Sequence, residues 1–217
     1  MLDRIRSVES RIAAACERAG RRREDVLLIA VSKTFPADAV EAALHAGITD
    51  VGENRVQEAR DKKPDVQSPA RWHLIGHLQS NKAKDAVRLF DVIHTVDSIA
   101  LGEKIARAAE GAGKRQEILI EVNVGREEQK AGVLPENVGA LVDELNAMPP
   151  LHLRGLMAIP PFLEAEAMRP YFRALRELRD AVGVEHLSMG MSDDFEVAIE
   201  EGSTMVRVGR AIFGSRG

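Results

Sequence analysis

VLLIAVSK, residues 26–33, is the stretch that decides the fold of this chain. Its first six residues are aliphatic without interruption, and such a run is typical of a strand that is covered on both faces in a parallel sheet. Helical patterns lie on both sides of it. Apolar residues recur at helical spacings over residues 1–20, and a second pattern begins at Pro36 and ends at Gly47. The order helix, buried strand, helix therefore predicts an α/β fold.

The same alternation continues to the end of the chain. The candidate strands lie at residues 26–31, 50–52, 72–75, 92–96, 118–123, 153–157, 186–188 and 205–208. Charged, helix-periodic segments lie between them, at roughly 54–63, 80–90, 98–112, 135–148, 163–183 and 193–202. Eight strand–helix units in about 200 residues predict a single (β/α)8 TIM barrel over residues 1–217, with residues 1–20 as an extra N-terminal helix. A doubly wound open sheet is the alternative, because periodicity alone does not close a barrel.

Composition and charge exclude several classes of protein. The chain has 217 residues, of which 45% are hydrophobic and 29% charged, which is ordinary for a soluble globular protein. Its 30 basic and 34 acidic residues are interspersed, so we expect no nucleic-acid partner. No apolar run is long enough to span a bilayer and the start lacks a signal-peptide pattern, so we expect no membrane partner and a cytoplasmic location. A lone cysteine, Cys16, excludes a disulfide framework, and we expect a monomer.

Lys33, at the end of the buried strand, is the most informative residue. In a TIM barrel the reactive groups lie at the C-terminal ends of the strands and in the loops that follow. Burial there disfavours a charged ammonium, and a neutral amine is what an aldehyde needs to form a Schiff base. The alternative is a lysine that extends from the strand end into solvent.

A phosphate site is predicted after the last two strands. Gly190 to Asp194 follow strand seven, and Gly209 with Arg210 follows strand eight. Loops at these positions often bind phosphate in barrels, together with the N-terminus of a short helix. Gly209 lets the backbone approach the anion, and Ser192 adds a hydroxyl. The alternative is that the glycines only form turns and that Ser192 caps the following helix.

The strand-end lysine and the phosphate loops together predict a phosphorylated aldehyde that is held at both ends. Pyridoxal 5'-phosphate (PLP) is the commonest such molecule. Arg207, two residues before Gly209, would point at the pyridine ring and keep its nitrogen unprotonated, because a guanidinium cannot accept a proton. The alternative is an ion pair between Arg207 and an acidic residue inside the barrel.

Several stretches carry a more specific pattern. They are IAVSK (29–33), GENRVQE (52–58), WHLIGHLQSNK (72–82), EVN (121–123), GLM (155–157), SMGMS (188–192) with Asp194, and VRVG (206–209) through Phe213 and Gly214. In this order they resemble the YggS/PROSC family, the pyridoxal phosphate homeostasis proteins. The resemblance covers nearly the whole chain, and its long WHxIGxxQxNK block is specific.

The resemblance implies a fold, a ligand and a set of site residues. The fold is a fold-type III PLP-binding barrel, a lone barrel like the N-terminal domain of alanine racemase. Lys33 falls on the Schiff-base lysine and Arg207 on the arginine at the pyridine nitrogen. Three further positions fall in the phosphate-binding segments: Ser192, Gly209 and Arg210. Four more fall around the cofactor pocket: Asn54, His77, Asn123 and Met157. The chain departs from many relatives at Asp193 and Arg210, where they often have small or hydroxylic residues.

The family is described as binding and buffering PLP and balancing vitamin B6 and amino-acid pools, with PLP-dependent apo-enzymes as candidate recipients. A non-catalytic carrier is therefore favoured over a PLP-dependent racemase of low activity. Racemisation needs a proton donor or acceptor on each face of the substrate, which in the resembling racemase includes a tyrosine from outside the barrel. Here the single tyrosine, Tyr171, is predicted on an outer helix, although His77 could replace it. A metal-dependent hydrolase is disfavoured, because His73 and His77 need not converge.

Overall fold

Eight parallel strands form a closed barrel in the computed structural model, which describes residues 1–214. They are β1 Leu27–Val31, β2 Asp50–Glu53, β3 Arg71–Leu74, β4 Val92–Val96, β5 Gln116–Glu121, β6 Leu151–Met157, β7 His186–Ser188 and β8 Met205–Val208. Pairing of β1 with β8, which sets Leu27 opposite Met205, closes the barrel. The predicted TIM barrel is confirmed, and the open sheet is excluded.

Helices surround this barrel within the described residues. They are α1 Leu2–Arg18, α2 Ala37–His45, α3 Val56–Lys62, α4 Ala83–Leu89, α5 Ile99–Gly111, α6 Val138–Asn146, α7 Ala165–Val182, α8 Phe195–Glu200 and the short α9 Arg210–Phe213. Helix α1 precedes the barrel, as the apolar stripe predicts, and buries Ile5, Val8 and Ile12. Each of the other eight follows one strand, so the strand–helix alternation is also confirmed.

The apolar core has two parts, and this explains why the strands read as unbroken aliphatic runs. The larger part lies between the strands and the helices, and includes Leu28 and Ala30 of β1. A smaller cluster lies in the barrel interior, where Ile29 of the same strand packs with Leu119 and Met205. Because both faces of β1 are covered, no polar residue alternates with the apolar ones.

Two observations bear on the excluded classes. Cys16 is buried on α1 among the core residues, which agrees with a packing role. Within residues 1–214, no helix combines the length and the apolar character that crossing a membrane requires.

Candidate functional site

A cavity of about 250 Å³ lies at the C-terminal end of the barrel. Six of the nine predicted site residues line it: Lys33, Asn54, Ser192, Arg207, Gly209 and Arg210. The remaining lining comes from Val31, Ile75, Ile159, Phe162, Met191 and Asp193. A larger depression of about 700 Å³ lies at the N-terminal ends of the strands, beside Arg71 and Glu117, but none of the predicted site residues lines it. The strand ends identified from the sequence therefore converge on one cavity.

The other three predicted site residues are placed elsewhere. His77 is exposed in the loop after β3 and lines a separate cavity of about 260 Å³. Asn123 holds the loop after β5, since its side-chain amide donates to the Glu127 carbonyl at 2.8 Å and its oxygen accepts from the Glu127 N–H at 3.0 Å. Met157 is fully buried among the apolar side chains of the barrel interior. The structure does not bring these three side chains into the lining of the Lys33 cavity.

A buried cluster of Ser32, Glu53 and Lys62 lies directly behind Lys33. The Ser32 hydroxyl donates to Glu53 Oε1 at 2.6 Å, and the Lys62 ammonium donates to the Ser32 carbonyl at 2.8 Å. Lys62 also forms an ion pair with Glu53, whose side chain is fully buried. Burial raises the pKa of Glu53, while hydrogen bonds from Lys62 and Ser32 oppose that rise. The cluster ties the peptide before Lys33 to β2 and α3.

The backbone after Lys33 is also constrained. Thr34 has φ +68°, a left-handed conformation that is unfavourable for a β-branched residue and costs about 1–3 kcal/mol. Its N–H donates to Glu58 Oε2 at 3.0 Å, and the Phe35 N–H donates to the Ser32 carbonyl at 3.0 Å. Lys33 itself is half-buried and lies between the anchored residues Ser32 and Thr34. Lys62 and Glu58 could not be recognised from the sequence, because they lie on a helical pattern where they resemble ordinary surface charges.

The loop after β7 is shaped by a glycine and an aspartate. Gly190 has φ +92°, and a Cβ at this position would lie 2.6 Å from the Cβ of Ala198. Asp194 Oδ1 accepts the Met191 N–H at 2.5 Å, and α8 begins after Asp194. Ser192 is therefore not the N-cap of α8, and its side chain remains on the cavity side of the loop.

The loop after β8 brings backbone donors and a second arginine to the cavity. Gly209 lies where a Cβ would stand 3.2 Å from the Val31 carbonyl oxygen, so the glycine permits close approach to β1. Helix α9 begins at the next residue. Its Ile212 and Phe213 N–H groups donate to the Gly209 carbonyl at 2.9 Å, whereas the N–H groups that open a helix have no acceptor within it. The Arg210 guanidinium forms an exposed ion pair with the Asp193 carboxylate. The two departures from the family pattern thus contact each other.

Arg207 forms the buried wall of the cavity and is only 3% exposed. Its Nη1 donates to the carbonyl and the hydroxyl oxygens of Ser188, both at 2.6 Å, and its Nη2 donates to the Ala158 carbonyl at 3.0 Å. Burial lowers the pKa of Arg207 to about 10, which still leaves it cationic at neutral pH. In the part of the chain that the structure describes, these partners are uncharged, so the ion pair considered as the alternative does not form.

Glu121 is a buried carboxyl that the sequence analysis did not single out. It ends β5, is 9% exposed, and its Oε2 has no hydrogen-bond partner among the described residues. Burial raises the pKa of Glu121 to about 7, with a contribution from Asp97, while Arg207 acts in the opposite direction. A glutamate directly after the aliphatic residues of a barrel strand is the signal that could have found it.

Replacing Glu121 with glutamine is expected to stabilise the ligand-free protein at pH 8 by about 3 kcal/mol. The folded state keeps its proton up to about pH 7, whereas the unfolded glutamate loses it near 4.5. Stability contributed by this site is therefore present below pH 4.5 and falls as the pH rises to 7. Urea unfolding of both proteins from pH 4.5 to pH 8 measures the difference, with the exposed Glu128→Gln as control. A constant difference across this range would contradict the assignment.

Comparison with known proteins extends these observations. The family described as "Alanine racemase, N-terminal domain" matches residues 5–217. A relative from Aquifex aeolicus, named pyridoxal phosphate homeostasis protein, is 46% identical over an alignment of 222 positions, which covers 99% of this chain and 97% of that protein. A relative of the same name from Escherichia coli K12 is 39% identical over 224 residues, covering 98% and 95%. The similarity therefore spans nearly the whole of this chain and of each relative.

Solved structures give the same picture. PipY of Synechococcus elongatus, determined with PLP bound, matches with a TM-score of 0.83 and 37% identity, over 94% of this chain and all of that one. Its PLP-free structure matches with a TM-score of 0.88. An alanine racemase from Clostridium difficile 630 matches with a TM-score of 0.72 at 18% identity, over 99% of this chain but 57% of that chain. This last likeness concerns the fold alone.

Proposed function

The chain belongs to the family of pyridoxal phosphate homeostasis proteins, and on that premise we propose that it binds PLP in the Lys33 cavity. The observation that carries the proposal is that Lys33, Arg207, Ser192 and Gly209 line one cavity of about 250 Å³. The PLP-bound structure of PipY, 37% identical to this chain, supports the same ligand.

The donors of the cavity fit the chemical groups of PLP. Lys33 offers a primary amine to the aldehyde. Ser192, the first turn of α9 and the Arg210 guanidinium offer hydrogen-bond donors of the kind that a phosphate needs. Arg207 offers guanidinium N–H groups, which suit the unprotonated pyridine nitrogen because that nitrogen accepts a hydrogen bond. The cavity therefore provides one matching partner for each polar end of the molecule.

Lys33 is proposed to hold the cofactor covalently. PLP supplies an electrophilic aldehyde carbon. The uncharged Lys33 amine would attack that carbon, and the C=O bond would be replaced by a C=N bond as water leaves. The attack needs the lone pair of the uncharged amine, which the ammonium form lacks. Asp193 neutralises part of the charge of Arg210, which would weaken the phosphate contact and favour release.

We further propose that the protein is a carrier that takes part in PLP and amino-acid homeostasis, with PLP-dependent apo-enzymes as recipients. Tyr171, the single tyrosine of the chain, lies within α7 and is not among the residues that line the Lys33 cavity. The described lining therefore has no tyrosine that could exchange a proton on the second face of a substrate. The alternative is a weak amino-acid racemase, which the half-buried Lys33 favours because a lysine can serve as the base on one face.

Titration of the ligand-free protein with PLP, followed by transfer to a PLP-dependent apo-enzyme, tests this function. We expect saturable binding with absorbance at about 420 nm, and recovery of activity when the loaded protein is mixed with the apo-enzyme. Failure to bind PLP, or retention of the PLP in the presence of the apo-enzyme, would contradict the proposed carrier function. Chiral analysis after incubation with L-alanine or L-serine tests the alternative. Steady conversion well above that of free PLP would make the protein a racemase.

A further inference from the structure

A chain of hydrogen bonds runs through the barrel interior below the Lys33 cavity. Asp50 Oδ1 lies 2.7 Å from His73 Nε2, and His73 Nδ1 lies 2.9 Å from His94 Nε2. His94 Nδ1 lies 3.0 Å from the Ser188 hydroxyl, which in turn accepts from Arg207. All five residues are at most 5% exposed. The chain therefore joins the wall of the cavity to the first residue of β2, at the other end of the barrel.

The partners at the two ends limit the directions that the hydrogen bonds in this chain can take. Burial acts to raise the pKa of Asp50, but hydrogen bonds from His73 and Thr49 outweigh it and lower that pKa. Asp50 is therefore a carboxylate, which can only accept hydrogen bonds. Burial lowers the pKa of His94 well below its ordinary value, so His94 is neutral and carries one proton. At the other end a guanidinium only donates.

With a neutral His73, one arrangement satisfies every partner. His73 carries its proton on Nε2 and donates to Asp50, so its Nδ1 accepts from His94 Nε2–H. His94 Nδ1 then accepts the Ser188 hydroxyl proton, which leaves the Ser188 oxygen to accept from Arg207. These tautomers are assigned from the hydrogen-bond partners. Donation thus runs in one direction, from Arg207 to Asp50.

We propose, resting on the proposed function, that the chain from Asp50 to Ser188 orients Arg207 toward the pyridine nitrogen of PLP. The three bonds to Ser188 and Ala158 occupy three of the five guanidinium N–H groups. Two N–H groups of Arg207 remain for the cavity that it lines. Asp50, His73 and His94 are positioning residues, because they act on the ligand only through Ser188 and Arg207.

Binding of PLP and of its 1-deaza analogue, which has a carbon in place of the ring nitrogen, tests the proposal. Ser188→Ala cuts the chain beside Arg207, and Asp50→Ala removes its terminal acceptor. We expect each change to weaken PLP binding about tenfold and to leave binding of the deaza analogue within about twofold of the unchanged protein. Asp50→Asn keeps an acceptor oxygen, so it is expected to retain most of the affinity for PLP that Asp50→Ala loses. Thr95→Val, which removes a buried hydroxyl bonded to the Gly76 carbonyl, is the matched control.

The outcomes separate this proposal from the proposed function. An equal loss of affinity for both ligands, or no loss for PLP, would overturn the positioning role. Failure of the unchanged protein to bind PLP would overturn the proposed function itself. Histidine nitrogen shifts in the ligand-free protein give a second readout, which does not depend on PLP. Nε2-protonated tautomers for His73 and His94 are expected, and an Nδ1-protonated His94 would overturn the assigned direction.

Discussion

Replacing Lys33 with alanine is expected to abolish covalent trapping of PLP by this protein. Among the described residues that line the cavity, Lys33 carries the one primary amine, whereas the other cationic side chains are the guanidinium groups of Arg207 and Arg210. A guanidinium stays protonated at neutral pH and is a poor nucleophile toward an aldehyde. Borohydride reduction of the loaded protein, followed by peptide mass spectrometry, measures the trapping. In the unchanged protein the label is expected on Lys33.

Two further variants make this result specific. Lys104→Ala removes an amine from the neighbouring cavity at the same end of the barrel, and is expected to keep the full label on Lys33. Lys33→Arg keeps the positive charge and is expected to lose the label but to retain weak non-covalent binding. Label that persists in Lys33→Ala, on whatever lysine, would show that another amine performs the reaction.

Replacing Glu53 with alanine is expected to destabilise the folded protein by about 3–5 kcal/mol. The side chains of Lys62 and Glu53 are 8% and 0% exposed, and the ammonium would lose its only carboxylate partner within the described residues. The Ser32 hydroxyl would lose its acceptor as well. Urea unfolding at neutral pH measures the change. The same variant is expected to slow trapping of PLP, because the peptide before Lys33 is no longer held.

The exposed pair of Glu103 and Arg107 provides the matched control for this stability change. Its side chains are 48% and 74% exposed, so Glu103→Ala is expected to cost less than about 1 kcal/mol. Replacing both members of the buried pair, as Glu53→Leu with Lys62→Met, is expected to recover most of the lost stability, since no charge is then buried alone. A Glu53→Ala protein as stable as the Glu103→Ala protein would show that Lys62 reaches solvent without cost.

The strands could be predicted closely because each is covered on both faces. The predicted strand 26–31 starts one residue before the observed β1 and ends with it at Val31, and β4, β7 and β8 match the predicted bounds. The errors in the predicted strand starts are larger where polar or proline residues lie at the start of a strand or just before it. Strand β5 starts at Gln116 and β6 at Leu151, each two residues earlier than predicted. There the pairing of Gln116 with Leu151 extends the sheet, which a local apolar pattern does not reveal.

The candidate site could be predicted in part. Lys33, Arg207 and Gly209 follow from their places at strand ends, because all C-terminal strand ends of a barrel meet at one mouth. His77, Asn123 and Met157, which were assigned from motif membership, are not among the residues that line the Lys33 cavity. The Asn123 side chain bonds to Glu127 within its own loop. The Met157 side chain lies in the barrel interior, because side chains along a strand alternate between its two faces. Neither effect is visible in a motif.

The sequence by itself determined the eight strand–helix units and the residue types available at their ends, because both depend on patterns within a few neighbouring residues. Only the tertiary structure decided that β1 pairs with β8 and that Lys62 lies under Ser32. It also decided that Asp50, 138 positions before Ser188, ends the hydrogen-bonded chain that passes through His94. Hydrogen bonds join atoms that are close in space, and closure of the barrel brings these distant segments together.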